Sequence, residues 1–295
     1  MSQAPRPRST MISAVVSDVD GTLVTGDKTL TERTRAAVAS LRAEGIAFTI
    51  ISSRPPRGLR MLIDRLEITN PVAGFNGGML TTPDLSIISQ HLLSAVVARQ
   101  AVEMIEAQGA QAWIFRGQDW LLRDPAGPYV GLEQLTIGYP PIIVEDFAHA
   151  LDAAAKIVAV SEDFALLARL EQQGRPAFAQ QATVARSQPY YLDFTHPLAN
   201  KGVALSELAQ LLGIPQTQIA VIGDGGNDIA MFERSGLSIA MGNAGRQVQR
   251  AADLVTDPNN QDGFAKAIER YVLGGHGLNA PASRPAASLR IRDLP

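Results

Sequence analysis

The sequence has no cysteine among its 295 residues. Disulfide bonds, thiolate metal sites, iron–sulfur clusters and cysteine nucleophiles are therefore excluded. An excess of either charge is also absent, because 26 basic residues face 29 acidic ones and the net charge is −3. This balance argues against a nucleic-acid-binding surface.

Long hydrophobic runs are missing as well. No apolar run approaches the roughly 18 residues that a membrane span needs. The apolar segment from Met11 to Val16 is shorter than the about 7–15 residues of a secretory signal core, and it leads directly into Asp18 and Asp20. We therefore expect a cytoplasmic protein with neither a membrane nor a nucleic-acid partner.

Lysine is scarce, although basic residues are not. Only four of the 26 basic residues are lysines, namely Lys28, Lys156, Lys201 and Lys266. A chain that uses arginine so widely gives a reason to ask what each lysine does.

Hydrophobic residues make up 46% and charged residues 19% of the chain, which is a normal balance for a globular protein.

The order of predicted strands and helices indicates two kinds of domain. Strands and helices alternate near the start of the chain and again after Asn200, which is typical of a doubly wound parallel sheet with helices on both faces. The middle of the chain mixes helices with strand pairs instead. We predict an α/β, Rossmann-like core from residues 11–82 and 191–274, an inserted α+β domain over residues 83–190, and flexible tails at 1–10 and 275–295.

Two acidic clusters follow buried strands of the predicted sheet. Asp18 and Asp20 follow the first strand, and Asp224 and Asp228 follow a strand that begins at Gln218. Ligands bind at the carboxyl ends of strands in such sheets, and carboxylate oxygens suit Mg²⁺. Either cluster alone could be an acidic turn that caps a helix, but two in one sheet favour a cation site.

Two further polar features are predicted at strand or helix ends. Ser52, Ser53 and Arg54 follow the second strand, where a hydroxyl group and backbone N–H groups suit an anionic oxygen. An ordinary helix cap is the alternative there. Lys201 begins a predicted helix, where the helix dipole disfavours a cation. We therefore expect a nearby anion that compensates the charge of this lysine.

A carboxylate nucleophile, a second carboxylate, a hydroxyl, a lysine and an acidic Mg²⁺ site together describe phosphoryl transfer through an aspartyl phosphate. With these motifs in this order, the sequence resembles the haloacid dehalogenase-like phosphatase superfamily. Finer features resemble its Cof-type branch, in which a large α/β cap of the C2 (type IIB) kind is inserted between the second and third motifs. One departure is Ser52-Ser53-Arg54, where the family usually has Thr-Gly-Arg. The matching motifs are D-x-D-G-T-L from Asp18, Ser52, Lys201, G-D-G-x-N-D from Gly223, and the stretches 75–78, 240–244 and 252–263.

The resemblance implies a role for each motif residue. Asp18 would attack the phosphorus atom, and Asp20 would protonate the leaving alcohol and then accept a proton from water. The metal ligands would be Asp18, Asp224, Asp228 and the backbone carbonyl of Asp20. The phosphate-binding residues would be Gly21, Thr22, Ser52, Ser53, Arg54, Lys201 and Asn227.

The resemblance implies a Mg²⁺-dependent phosphatase whose partner is a small-molecule phosphate ester, with a sugar phosphate as the leading candidate. One alternative is a phosphomutase or another phosphotransferase, which would need the same residues. The other is a catalytically idle binding protein with the same fold, although every expected reactive residue is present.

Overall fold

The computed structural model describes residues 11–274, so the predicted tails at 1–10 and 275–295 lie outside the described residues. These residues form two compact units. The first unit comprises residues 11–50 and 205–274, and the second comprises residues 51–204. The boundaries that we placed at residues 83 and 190 stay a prediction. No helix within residues 11–274 has the length and hydropathy needed to cross a membrane.

The described elements follow one another along both units. The helices are α1 Glu32–Ala43, α2 Arg60–Arg65, α3 Ala95–Ala107, α4 Val130–Ile137, α5 Phe164–Ala177, α6 Lys201–Leu212, α7 Ile229–Phe232, α8 Arg246–Ala251 and α9 Gly263–Ala267. The strands are β1 Ala14–Ser17, β2 Ala47–Ile50, β3 Val72–Gly74, β4 Met79–Thr81, β5 Ile87–Gln90, β6 Gln111–Arg116, β7 Asp119–Leu122, β8 Ile142–Ile143, β9 Ala154–Val160, β10 Thr183–Gln188, β11 Tyr191–Thr195, β12 Ile219–Gly223, β13 Leu237–Ala240 and β14 Leu254–Val255.

The first unit is built on a parallel sheet in the order β14-β13-β12-β1-β2. All residues of β1 and β12 are buried, as expected for central parallel strands that are covered on both faces. Ser17 at the end of β1 lies opposite both Ile222 and Ile50. The loops that follow β1 and β12 therefore leave the sheet side by side, and the predicted doubly wound core is confirmed.

The helices of the first unit begin where local capping chemistry allows. The hydroxyl of Thr31 accepts a hydrogen bond from the backbone N–H of Thr34 and caps α1, as N-terminal threonine residues commonly do. The chain from Phe264 to Leu273 was predicted as one helix. The structure has α9 followed directly by a π-helical segment at Ile268–Leu273, because a helical repeat of buried residues does not distinguish the two helix types.

The second unit contains two sheets. The larger one has the order β10-β11-β9-β6-β7-β8, and its pairs are antiparallel except for β7 and β8. The sequence predicts two strands joined by a turn at Gly117. This hairpin is confirmed, because β6 and β7 pair antiparallel and Gly117 has a φ of +57° in the turn between them. Ser94 and Asp163 cap α3 and α5.

The structure corrects one strand. Residues 71–75 were expected to form a third strand of the parallel sheet, but β3 pairs antiparallel with β4 in a sheet of three strands, β3-β4-β5. Its only isolated parallel bridge among the described residues joins Ala73 to Ile51. Phe75 and Asn76 have φ values of +52° and +58°, and this left-handed backbone reverses the chain directly after β3.

Candidate active site

Three carboxylates converge at the carboxyl end of the first unit's sheet. One oxygen from each of Asp18, Asp224 and Asp228 can be chosen so that all three lie within 4.8 Å of one another. The sheet itself causes this convergence, because the backbone N–H of Asp18 donates to the Ile222 carbonyl at 2.9 Å. That bond continues the β1–β12 pairing into the two acidic loops.

The acidic cluster fits a small divalent cation. Asp18 and Asp228 are buried and Asp224 is half-buried, so the repulsion between their charges is weakly screened. Mg²⁺ binds oxygen ligands at about 2.0–2.1 Å, so three oxygens that are up to 4.8 Å apart would have to move closer together to contact one ion directly. The oxygen-only donor set is also the one that Mg²⁺ prefers.

Asp228 shapes the loop that carries Asp224. Its Oδ2 accepts hydrogen bonds from the backbone N–H groups of Asp224 at 2.9 Å and Gly225 at 2.8 Å. A Cβ atom at Gly223 would lie 2.3 Å from the Asp228 carboxyl carbon. Glycine at position 223 is therefore required so that this carboxylate can approach the backbone.

Asp224 is held by two residues from other loops. Thr22 Oγ1 donates to Asp224 Oδ1 at 2.9 Å, and Asn243 Nδ2 lies 3.3 Å from Oδ2. A Cβ atom at Gly21, whose φ is +84°, would lie 2.3 Å from Oδ2. The structure shows that the Thr22 hydroxyl orients a metal-ligand candidate, and the expected contact of the Thr22 backbone with phosphate stays a prediction.

Asn243 lies in the candidate site, although the sequence did not single it out as a site residue. Its Nδ2 also donates to the Gly21 carbonyl at 2.9 Å, and its Oδ1 accepts from the backbone N–H of Asn259 at 2.9 Å. Asn259 in turn donates to the Val24 carbonyl at 2.9 Å. Asn243 thus joins the loops after β1, β12 and β13. The sequence did mark the stretch 240–244, but only as a family feature.

Asp20 does not belong to the cluster of three carboxylates. Its Oδ1 lies 2.6 Å from Lys28 Nζ, and the two side chains are 26% and 38% exposed. The structure therefore gives Asp20 a setting different from that of Asp18, as two different chemical roles would need.

Asn227 lies in the short 3₁₀ turn Gly226–Asp228 and is exposed.

The remaining predicted phosphate-binding residues belong to the second unit. Ser52 is buried, and its Oγ accepts a hydrogen bond from the Arg54 backbone N–H at 3.1 Å. Arg54 is also buried and donates to the Thr136 carbonyl at 3.2 Å, while Ser53 is half-buried. A hydroxyl that accepts this local bond still has its own proton to donate.

Lys201 is the first residue of α6 and is only 1% exposed. The side chain of Asn200 accepts a hydrogen bond from the Val203 backbone N–H at 2.9 Å and caps this helix. A buried cation at the positive end of a helix is costly unless an anion compensates it. This position therefore favours an anion-binding role over a solvent-exposed one.

The second unit also contains an ionic pair that the sequence did not reveal. Lys156 Nζ on β9 lies 2.7 Å from Asp193 Oδ2 on β11, and the side chains are only 11% and 9% exposed. Burial raises the pKa of nearby Glu133, while the positive charges of Lys156 and Arg54 oppose that rise. Partners on different strands of a sheet leave no local sequence pattern.

Comparison with known proteins identifies the family. A model of haloacid dehalogenase-like hydrolases matches residues 15–268. The chain belongs to this family. The assignment made from the motifs, including the Cof-type branch, is confirmed.

Relatives of this haloacid dehalogenase-like hydrolase are phosphatases. It is 28% identical over 260 residues to a predicted phosphatase of Haemophilus influenzae, covering 88% of this chain and 98% of the relative. It is 26% identical to a 5-amino-6-(5-phospho-D-ribitylamino)uracil phosphatase of Bacillus subtilis, with 87% and 96% covered. The activity of this haloacid dehalogenase-like hydrolase is that of a phosphatase.

Solved structures agree with this family assignment. A haloacid dehalogenase-like hydrolase from Bacteroides thetaiotaomicron superposes with a TM-score of 0.81 at 28% identity, covering 88% of this chain and 99% of that one. A subclass IIB sugar phosphatase shares the fold with a TM-score of 0.76 at 23% identity. The α/β fold predicted for this hydrolase is confirmed.

Proposed function

We propose that this enzyme hydrolyses small phosphorylated metabolites, with sugar phosphates as the leading candidates, in a Mg²⁺-dependent reaction through an aspartyl phosphate on Asp18. The observation that supports the proposal most strongly is the convergence of Asp18, Asp224 and Asp228 within 4.8 Å at the end of the sheet. The cytoplasmic location and the absence of nucleic-acid and membrane partners stay predictions from the sequence.

The metal would be held by the carboxylates of Asp18, Asp224 and Asp228 and by the backbone carbonyl of Asp20. When bound, Mg²⁺ would neutralise charge on the carboxylates and on the phosphoryl group. Thr22 and Asn243 keep the Asp224 carboxylate oriented through their hydrogen bonds. Such supporting contacts typically change metal affinity by about 10–100-fold when they are removed.

In the first half of the reaction, an oxygen of Asp18 attacks phosphorus and the ester P–O bond breaks. Asp20 donates its proton to the departing alcohol oxygen. In the second half, the Asp20 carboxylate takes a proton from a water molecule as the water oxygen attacks phosphorus. The bond between phosphorus and Asp18 then breaks, which gives inorganic phosphate and restores both aspartates.

We propose that the phosphoryl oxygens are held by two groups of donors. Lys201 contributes a charge, and Ser52 contributes a hydroxyl group. Preorganised donors of this kind stabilise the negative charge that develops in the transition state. The other proposed contributors are Gly21, Thr22, Ser53, Arg54 and Asn227.

The substrate class is supported by the named relatives. Several of them act on a phosphorylated ribitylamino compound, in which the phosphate is an ester of a polyhydroxylated chain. This chemistry is close to that of a sugar phosphate. We therefore expect alkyl phosphates with several hydroxyl groups to be the preferred esters.

The test is a panel of sugar, polyol and aryl phosphates incubated with the purified enzyme and Mg²⁺, with released phosphate as the readout. We expect turnover with Mg²⁺, none in excess chelator, and none in Asp18→Asn. Asp253→Asn is the matched control, because Asp253 binds Ser238 elsewhere in the same unit and should keep its activity.

Three outcomes would change the proposal. Full turnover in excess chelator would contradict the metal site. Labelled phosphate trapped on a residue other than Asp18 would contradict the nucleophile. Transfer of the phosphoryl group back to a sugar, in place of phosphate release, would replace hydrolysis with phosphotransfer.

A further inference from the structure

Lys28 lies in a tight turn after the D-x-D-G-T-L motif. The backbone N–H of Lys28 donates to the Thr25 carbonyl at 3.0 Å, and the N–H of Thr25 donates to the Thr29 carbonyl at 3.0 Å. Thr25 Oγ1 accepts a further bond from the Thr29 N–H at 3.0 Å. These bonds fix the direction in which the Lys28 side chain leaves the backbone.

The backbone of Lys28 is strained. Its φ is +66°, in the left-handed region that glycine and asparagine tolerate and that most other side chains avoid. Strain of this kind persists where the surroundings enforce it, and it occurs often at functional sites. A lysine in this conformation therefore needs a reason beyond the turn itself.

The stability of the fold does not explain why a lysine occupies this strained position. Lys28 Nζ and Asp20 Oδ1 are 2.6 Å apart, but their side chains are 38% and 26% exposed, and ion pairs with such exposure contribute little to folding. Lys266 and Asp257 form a similar pair in the same unit, at 3.1 Å and with 22% and 33% exposure. The difference is that Lys28 contacts a carboxylate proposed to transfer protons.

We propose that Lys28 is a positioning residue that orients the Asp20 carboxylate for proton transfer. The inference rests on the proposed function. A carboxylate has two oxygens, and its terminal torsion has a broad energy minimum. The ion pair at Oδ1 limits this rotation and so orients the carboxylate for proton exchange with the leaving alcohol and then with water. Proton transfer is sensitive to such alignment.

The experiment compares Lys28→Met and Lys28→Arg with the unsubstituted enzyme on two esters. One is the alkyl phosphate that the panel shows to be hydrolysed fastest, and the other is 4-nitrophenyl phosphate. Its phenolate departs without a proton, so Asp20 matters less for this ester. General acid catalysis contributes about 10²–10⁴-fold to the rate. We expect Lys28→Met to lower kcat on the alkyl ester about tenfold, because part of this contribution is lost. On the aryl ester kcat should fall less than about twofold, and KM should change little on either.

Three further variants separate positioning from structure. Lys28→Arg should recover most of the lost rate, because it keeps a cation near Asp20. Lys266→Met is the matched ion-pair control, and it should leave kcat unchanged on both esters. In an Asp20→Asn background, Lys28→Met should not change the alkyl-to-aryl ratio further.

Lys28→Asn adds a second readout. Asparagine tolerates the left-handed backbone, so this variant should raise Tm while kcat on the alkyl ester falls. Equal losses on both esters, or a rise in KM alone, would overturn the positioning role. Absence of turnover by the unsubstituted enzyme on both esters would instead refute the proposed function, so the two failures are distinguishable.

Discussion

Gly21 gives a direct test of how tightly the candidate metal site is built. Its φ is +84°, and a Cβ atom there would lie 2.3 Å from Asp224 Oδ2 and 2.7 Å from Asp224 Cγ. In Gly21→Ala, the Asp224 carboxylate must therefore move away and lose the hydrogen bond from Thr22. The substitution should weaken both folding and metal binding.

The magnitude follows from two contributions. A side chain in the left-handed region costs about 1–2 kcal/mol. A lost hydrogen bond to a charged group costs about 1.5–3 kcal/mol, so Gly21→Ala should lower the free energy of unfolding by about 3 kcal/mol. Gly45→Ala is the matched control, since Gly45 has a φ of +70° and no atom within 4 Å of the new Cβ. Gly45→Ala should lower the free energy of unfolding only by the cost of the left-handed backbone, about 1–2 kcal/mol.

The assay is urea unfolding of both variants with and without Mg²⁺. Displacement of a metal ligand should weaken Mg²⁺ binding at least as much as the loss of a supporting contact, which is about 10–100-fold. At a fixed saturating concentration, this removes about 1.4–2.7 kcal/mol of the stabilisation that Mg²⁺ provides. Gly45→Ala should keep that stabilisation in full. Equal losses in the two variants, with the same response to Mg²⁺, would refute the argument.

Three shorter predictions concern other parts of the two units. Asn243→Ala should weaken Mg²⁺ binding about tenfold, measured by the Mg²⁺-dependent shift in Tm, because Asp224 loses one of its orienting donors; an unchanged shift would contradict this role. Lys201→Arg should lower kcat about a hundredfold, because a branched guanidinium cannot replace an ammonium that is only 1% exposed; near-normal kcat would show that Lys201 holds no phosphate. Partial burial, followed by the charge of stacked His91, lowers the pKa of His196 below 6.5. The native state then binds fewer protons than the unfolded state, so stability should fall as pH drops through about 6.5. The variant His196→Gln should flatten that part of a Tm-against-pH curve, and parallel curves would contradict the prediction.

The elements that the sequence predicted best are those whose signal is local. The predicted helix from Lys201 to Leu212 has the same bounds in the structure, because its repeat and its stop at Gly213 are both local. The strands before Asp18 and Asp224 were also predicted correctly. Their shared sheet edge followed from the rule that parallel strands place their carboxyl ends together, and the acidic cluster followed from that edge.

Features that depend on distant partners were not predictable. Nothing local in residues 71–75 shows that Phe75 has a positive φ, so the reversal after β3 was missed. The contacts of Asn243 with Gly21 and Asp224 join loops that lie far apart in the chain. Lys28 was singled out as a rare lysine, but its ion pair with Asp20 depends on a turn geometry that only the fold defines.

The pairing of β1 with β12 has a consequence for how the protein folds. The Thr22–Asp224 hydrogen bond beside that pairing closes a loop of 202 residues, which costs about 5 kcal/mol of chain entropy if the intervening residues are disordered. Prior folding of the second unit replaces most of that loop with a compact body and lowers the cost. We expect pulsed hydrogen exchange during refolding to protect the amides of β6, β9 and β11 before those of β1 and β12, and the opposite order would contradict this view. The metal site would then be among the last features to assemble, because its carboxylates come from segments that precede and follow the second unit in the sequence.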